Sequence, residues 1–171
     1  LWHSFSYLRR VRRSVRTPKA AKSKHPCSSA AASTAMLARN TVIHAVSEYG
    51  KAWTTQDADR IAALFTEDAV YVERAFDRNG TFVGREQIRE YWLRQICGKQ
   101  TSIRFRHVER DLVIDSTRPV AVVKWLAEFD NFREKRANKA EKLVRFCQVA
   151  RLEFRGEQIC YLEEYGQSVS G

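Results

Sequence analysis

The sequence predicts an α+β fold, and three observations carry that reading. Two helical stretches open the body of the chain, a third follows a short hairpin, and the remainder alternates apolar and polar residues with the two-residue period of strands. Residues 37–56 form the first helix, because Val42, Val46, Tyr49 and Trp53 recur at helical spacing and share one face. Asp57 is placed to cap a second, short helix whose apolar side is Ile61, Leu64 and Phe65. A β-rich run from Ala69 to Ala75 makes a strand, Asp77–Gly80 a turn, and Thr81–Val83 a short partner strand. Gly84 opens the third helix, which turns Ile88, Tyr91, Trp92 and Ile96 inward.

Three long strands follow. Residues 102–114 put Ile103, Phe105 and His107 on one face and Arg104 and Arg106 on the other. Residues 120–132 put Val123, Trp125, Ala127 and Phe129 together, and residues 143–154 do the same for Val144, Phe146, Gln148, Ala150, Leu152 and Phe154. A last strand, about 158–166, follows the Arg155–Gly156 turn. One apolar face per strand means a sheet packed on one side and wet on the other. Segment 133–142 carries seven charges and reads as a solvated hairpin tip.

The formal charge of +10 is unevenly placed. Residues 1–35 hold eight basic and no acidic side chains, which leaves 22 basic against 20 acidic residues in the body, 36–171. A nucleic-acid module carries its basic patch on the fold itself, so nucleic acid is disfavoured as a partner. No run of 18 apolar residues is present in the sequence, so no membrane-spanning helix is expected. Residues 1–35 form a basic Ser/Ala/Arg-rich extension, expected to be disordered. They have the composition of an organelle transit peptide, or are a translated leader ahead of Met36. The compartment follows that choice: cytoplasmic for the leader, mitochondrion or plastid for the transit peptide. Cys27, Cys97, Cys147 and Cys160 show no C-x-x-C spacing, and the body has only His44 and His107, so no metal site is expected and the thiols read as reduced and buried.

Three segments carry a family resemblance: "WTTQDADRIAALFTEDAV", "FVGREQIREYW" and "VARLEFRGEQI". In that order and spacing the chain, from about Leu37 to Val169, resembles the nuclear transport factor 2-like superfamily, and within it a SnoaL-like or ketosteroid-isomerase-like domain. The resemblance implies a cone-shaped, curled, mainly antiparallel sheet packed against three helices of the N-terminal half, with an internal pocket. It also implies a site: a carboxylate base at an apolar wall and neutral donors for a developing oxyanion. The family's base on the first strand falls on Glu73, which shares a strand face with Tyr71. The donor tyrosine of the first helix falls on Tyr49. The family's protonated-acid donor has no counterpart here, and the nearest inward position is Gln148, a neutral amide. A second family tyrosine, on the third helix, is replaced by Trp92. Trp53, Tyr71, Tyr91, Trp92, His107, Trp125 and Phe146 are the residues expected to bind a substrate. Glu163, Glu164 and Tyr165 are expected near the sheet edge, where a partner subunit would meet them.

Two functions stay open at this point. One is a cofactor-independent isomerase, cyclase or lyase acting by proton transfer on a small apolar molecule, with Glu73 as base and Tyr49 and Gln148 as oxyanion donors. The other is a non-catalytic ligand-binding or dimerisation module, with a homodimer formed through the sheet. No cofactor is expected in either.

Overall fold

The computed structural model describes residues 36–77, 79–131 and 142–170. The extension 1–35 and nearly all of the charged segment 133–142 lie outside the described residues. Helix α1 spans Arg39–Thr55 and buries Val42, Val46, Tyr49 and Trp53, the stripe expected of it. Helix α2 spans Ala58–Ala63 and is capped by Asp57, whose carboxylate accepts from the Arg60 N–H at 2.9 Å. Because that carboxylate satisfies an otherwise orphaned helix donor, Asp57→Ala is expected to cost about 1 kcal/mol. Urea denaturation measures it; an unchanged midpoint would show the cap to be idle.

Strand β1 (Phe65–Val72) and strand β2 (Thr81–Val83) form the expected hairpin, and Gly84 is the N-cap of helix α3 (Arg85–Gln95). β1 begins four residues before the predicted Ala69. Its pairing is irregular between Phe65 and Val70, where Glu67 and Asp68 face solvent and Asp68 is ion-paired with Arg155. That bulge breaks the alternation, which is why the sequence there reads as a loop.

The predicted strand 102–114 is two strands. β3 (Gln100–His107) and β4 (Val113–Ile114) both pair with β5 (Val120–Asn131), and a 3₁₀ turn at Glu109–Asp111 separates them. Three consecutive charged side chains there offer no apolar face to continue a ladder. β6 (Lys142–Arg155) and β7 (Gln158–Ser170) complete a seven-stranded sheet, in the order β2-β1-β7-β6-β5-β3 with β4 also on β5. Every pairing is antiparallel except β1 with β7, which is parallel and joins the early hairpin to the last strand. The sheet curls without closing.

The core lies between the concave face of the sheet and the helices. Trp92, Trp125, Tyr71, Phe65, Phe129 and Ile61 are its largest fully buried side chains. Each such burial is worth about 2–3 kcal/mol, so this face of the sheet holds the helices in place. Among the described residues no helix is long and apolar enough to cross a membrane. The cysteines depart in part from the expectation of reduced, buried thiols: Cys160 is buried, Cys97 is free but half-buried and Cys147 is free and exposed, while Cys27 lies outside the described residues.

Candidate functional site

Period-2 alternation on β7 turns Leu162 and Glu164 toward the concave face of the sheet. Glu164 is therefore not at an outer surface awaiting a partner, as its place in the sequence suggests. It is 8% exposed and lines an internal cavity of about 270 Å³. A buried carboxyl needs hydrogen bonds, and this one has them. The Tyr49 hydroxyl, brought by α1, donates to one oxygen at 3.0 Å. The Gln148 amide, brought by β6, donates to the other at 2.5 Å. Tyr71, from β1, lines the same cavity. Gln148 is oriented in turn by Trp125, whose indole N–H donates to the amide oxygen at 3.1 Å.

The electrostatics follow from this packing. Burial pushes the Glu164 carboxyl up to about 7, and the nearby charge of Glu73 adds to the rise, while the donors Tyr49, Tyr71 and Gln148 oppose it. Burial and the Glu164 charge push the phenols of Tyr49 and Tyr71 well above the usual range, so both remain O–H donors. Glu73 stands toward the mouth of the same cavity. It is ion-paired with Arg74, and burial together with the Glu73 charge raises the phenol of Tyr91 on the same cavity wall.

Of the residues expected at the site, the structure brings Tyr49, Trp53, Tyr71, Glu73, Tyr91, Trp92, Phe146 and Gln148 to this one cavity. Trp53 is held by a hydrogen bond from its indole to Gln100 at 2.7 Å. Phe146 stacks on Phe129 with ring centroids 5.6 Å apart. Two expected residues sit elsewhere. Trp125 is 1% exposed and stands behind Gln148 rather than on the cavity wall. His107 lies off the cavity near the Ser47 hydroxyl, at 3.4 Å, and 3.9 Å from Glu109. Tyr49 and Gln148, expected to offer donors to a substrate, direct them to Glu164 instead.

Glu164 itself is the residue that reading the sequence missed. Its signal was the inward alternation with Leu162, obscured by the identical residue beside it at Glu163. A wider groove of about 800 Å³ runs outward along α3 and shares Glu73, Arg74, Tyr91 and Ile96 with the cavity. Among the described residues no three His, Cys, Asp or Glu side chains are grouped so as to hold a metal ion.

The model of the SnoaL-like domain family matches residues 46–162. No curated protein matches the chain. Among solved structures, SalBIII, an epoxide hydrolase/cyclase-like enzyme with a role in pyran ring formation in the polyether salinomycin, is similar at 20% identity and a TM-score of 0.58, over 75% of this chain and 92% of that one. A Mycobacterium tuberculosis epoxide hydrolase is similar at 16% identity and a TM-score of 0.56, over 75% and 84% of the two chains. A hypothetical protein of Catenulispora acidiphila with a ketosteroid isomerase-like fold, in complex with trimethylamine, is similar at 19% identity and a TM-score of 0.56, over 71% and 83%.

Proposed function

Since this chain belongs to the SnoaL-like domain family, we propose that its cavity performs cofactor-independent proton transfer on a small, largely apolar molecule bearing a carbonyl or epoxide oxygen. The observation that carries this reading is the pair of carboxyls in one apolar cavity: Glu164 buried and raised to about 7, Glu73 ion-paired with Arg74 toward the mouth. Two carboxyls whose environments differ in this way divide into an acid and a base. Glu73 is the base of the reaction and takes a proton from the α-carbon, the one bonded to the carbonyl carbon. Glu164, in its protonated form, gives its proton to that oxygen, and an enol forms. Return of the Glu73 proton to a different carbon, with return of the oxygen's proton to Glu164, completes an isomerisation and restores both groups. An epoxide would be opened by the same pair: a water gives a proton to Glu73 as its oxygen bonds to one ring carbon, that carbon's C–O bond breaks, and the freed oxygen takes the Glu164 proton to give a diol. Passage of the Glu73 proton to Glu164 through water restores both groups, and two of the structural neighbours are named for epoxide chemistry.

Both donors of the protonated carboxyl's surroundings have a bearing on this. The Gln148 N–H₂ cannot accept a hydrogen bond, so only a tyrosine hydroxyl or a ligand oxygen can receive the Glu164 proton.

The test uses cyclohexanone in deuterated buffer, with loss of its α-proton signal followed by NMR. The wild-type protein is expected to accelerate exchange over the buffer blank, and Glu73→Gln to bring the rate down by about 10²-fold or more. Exchange at the blank rate, or equal exchange in wild type and Glu73→Gln, overturns the reading. One observation favours a second reading, ligand binding without turnover: Tyr49 and Gln148 already spend their donors on Glu164. Under that reading cyclohexanone would shift the indole N–H signals of Trp53 and Trp92 without any exchange.

A further inference from the structure

We propose that Trp125 is a positioning residue that acts through Gln148, fixing which end of that amide faces Glu164; its mechanistic meaning rests on Glu164 acting as the acid. A glutamine side chain has two ends of nearly equal shape and opposite hydrogen-bonding character. Turned one way, Gln148 gives Glu164 a donor; turned the other way, it gives an acceptor. A donor favours the carboxylate and an acceptor favours the carboxylic acid, so the choice sets when the acid holds its proton.

The geometry makes that choice from the far side. Trp125 is on β5, directly opposite Gln148 of β6 in the ladder, and both side chains are on the concave face. An indole N–H can only donate, so at 3.1 Å it demands the amide oxygen. The N–H₂ end is then left for Glu164, at 2.5 Å. The indole cannot drift, because it is 1% exposed and packed against Tyr49 and Phe105, with ring centroids 5.6 and 6.0 Å away. Gly166 keeps the lane open. It is paired with Gln148 in the β6–β7 ladder, and a Cβ there would stand 3.0 Å from the glutamine Cγ and 3.4 Å from Nε2. The other groups bearing on Glu164 are Tyr49 from α1, Tyr71 from β1, Glu73 just beyond the end of β1, and Tyr91 from α3; of these Tyr49 touches the Trp125 ring, and a phenylalanine there keeps a ring against it.

The experiment follows the Glu164 carboxyl by NMR titration in wild type, Trp125→Phe, Gln148→Met and the double variant, and needs no substrate. Phenylalanine keeps a ring in place and removes the N–H. The Glu164 midpoint is expected to rise by about half a unit or more in each single variant, since each withdraws the donor. The double variant is expected to match the single ones, because the two residues act as one chain. An unmoved midpoint in Trp125→Phe, or additive shifts in the double variant, overturns the proposal. If Trp125→Phe fails to fold, hydrogen exchange of the Trp125 indole decides: protection in wild type that is lost in Gln148→Met supports it, and equal exchange in both overturns it. A titration that shifts as expected in a protein that exchanges no cyclohexanone protons would sink the proposed reaction while leaving this positioning role standing.

Discussion

Replacing Glu164 with Gln is expected to remove proton transfer, by about 10²- to 10⁴-fold, and to take with it a pH dependence of stability. The sign follows from linkage. The Glu164 carboxyl is raised in the folded protein from an ordinary value of 4.5 to about 7. Between those values the folded state holds a proton that the unfolded state has released, so stability falls as pH rises. The favourable contribution is complete below about 4.5 and lost above about 7, a change of roughly 3 kcal/mol. Glutamine does not titrate. The stability difference between wild type and Glu164→Gln, measured by urea denaturation at several pH values across that window, therefore isolates this one group. The variant also sets an amide N–H₂ against that of Gln148, a pH-independent cost that offsets the whole curve without changing its slope. A difference that stays constant with pH would show that Glu164 titrates as an ordinary surface carboxylate does.

The second large effect is expected at Gly50. A Cβ at this helical position would lie 2.1 Å from the Phe105 ring, far inside contact distance. The ring has little room to move aside, because Tyr49, Trp53 and Trp125 surround it with centroids 6.0–6.3 Å away. Gly50→Val must therefore push α1 off β3. Overpacking of this kind costs about 1–3 kcal/mol, more than the few tenths a better helix former returns. The melting temperature should fall by roughly 5–10 °C for a domain of this size. Tyr49 is the neighbouring residue, so the hydrogen bond to Glu164 should loosen as well. An unchanged melting temperature would mean that α1 and β3 are not in register as described.

These two positions also mark how far the sequence can be read. The helices, the Thr81–Val83 strand and the Asp57 cap are local features, written in spacing and in single side-chain chemistries. The break between β3 and β4 is signalled only by three charges in a row. The parallel pairing of β1 with β7 depends on two segments some 90 residues apart, and alternation cannot state which strands are neighbours. The site divides in the same way. Tyr49, Tyr71 and Gln148 could be placed on inward faces one strand or helix at a time. That the polar atoms of Tyr49 and Gln148 converge on Glu164 is a property of three elements together, α1, β6 and β7. Trp125 read as an aromatic wall residue because its ring was legible and the destination of its N–H was not. Gly50 gave no signal at all, since its reason is the Phe105 ring on another element.

The parallel joint between β1 and β7 has a consequence for how the protein is made. As the chain leaves the ribosome, the three helices and the first hairpin emerge with five of the seven strands still unsynthesised. β1 can gain its inner neighbour only when residues 159–163 arrive, and Glu164 is the next residue after them. Closing so long a loop is slow compared with forming the antiparallel hairpins, which need only local turns. Glu164 thus arrives with the segment that locks the fold. A chain interrupted before that point would hold the aromatic wall without the carboxyl to which Tyr49 and Gln148 donate.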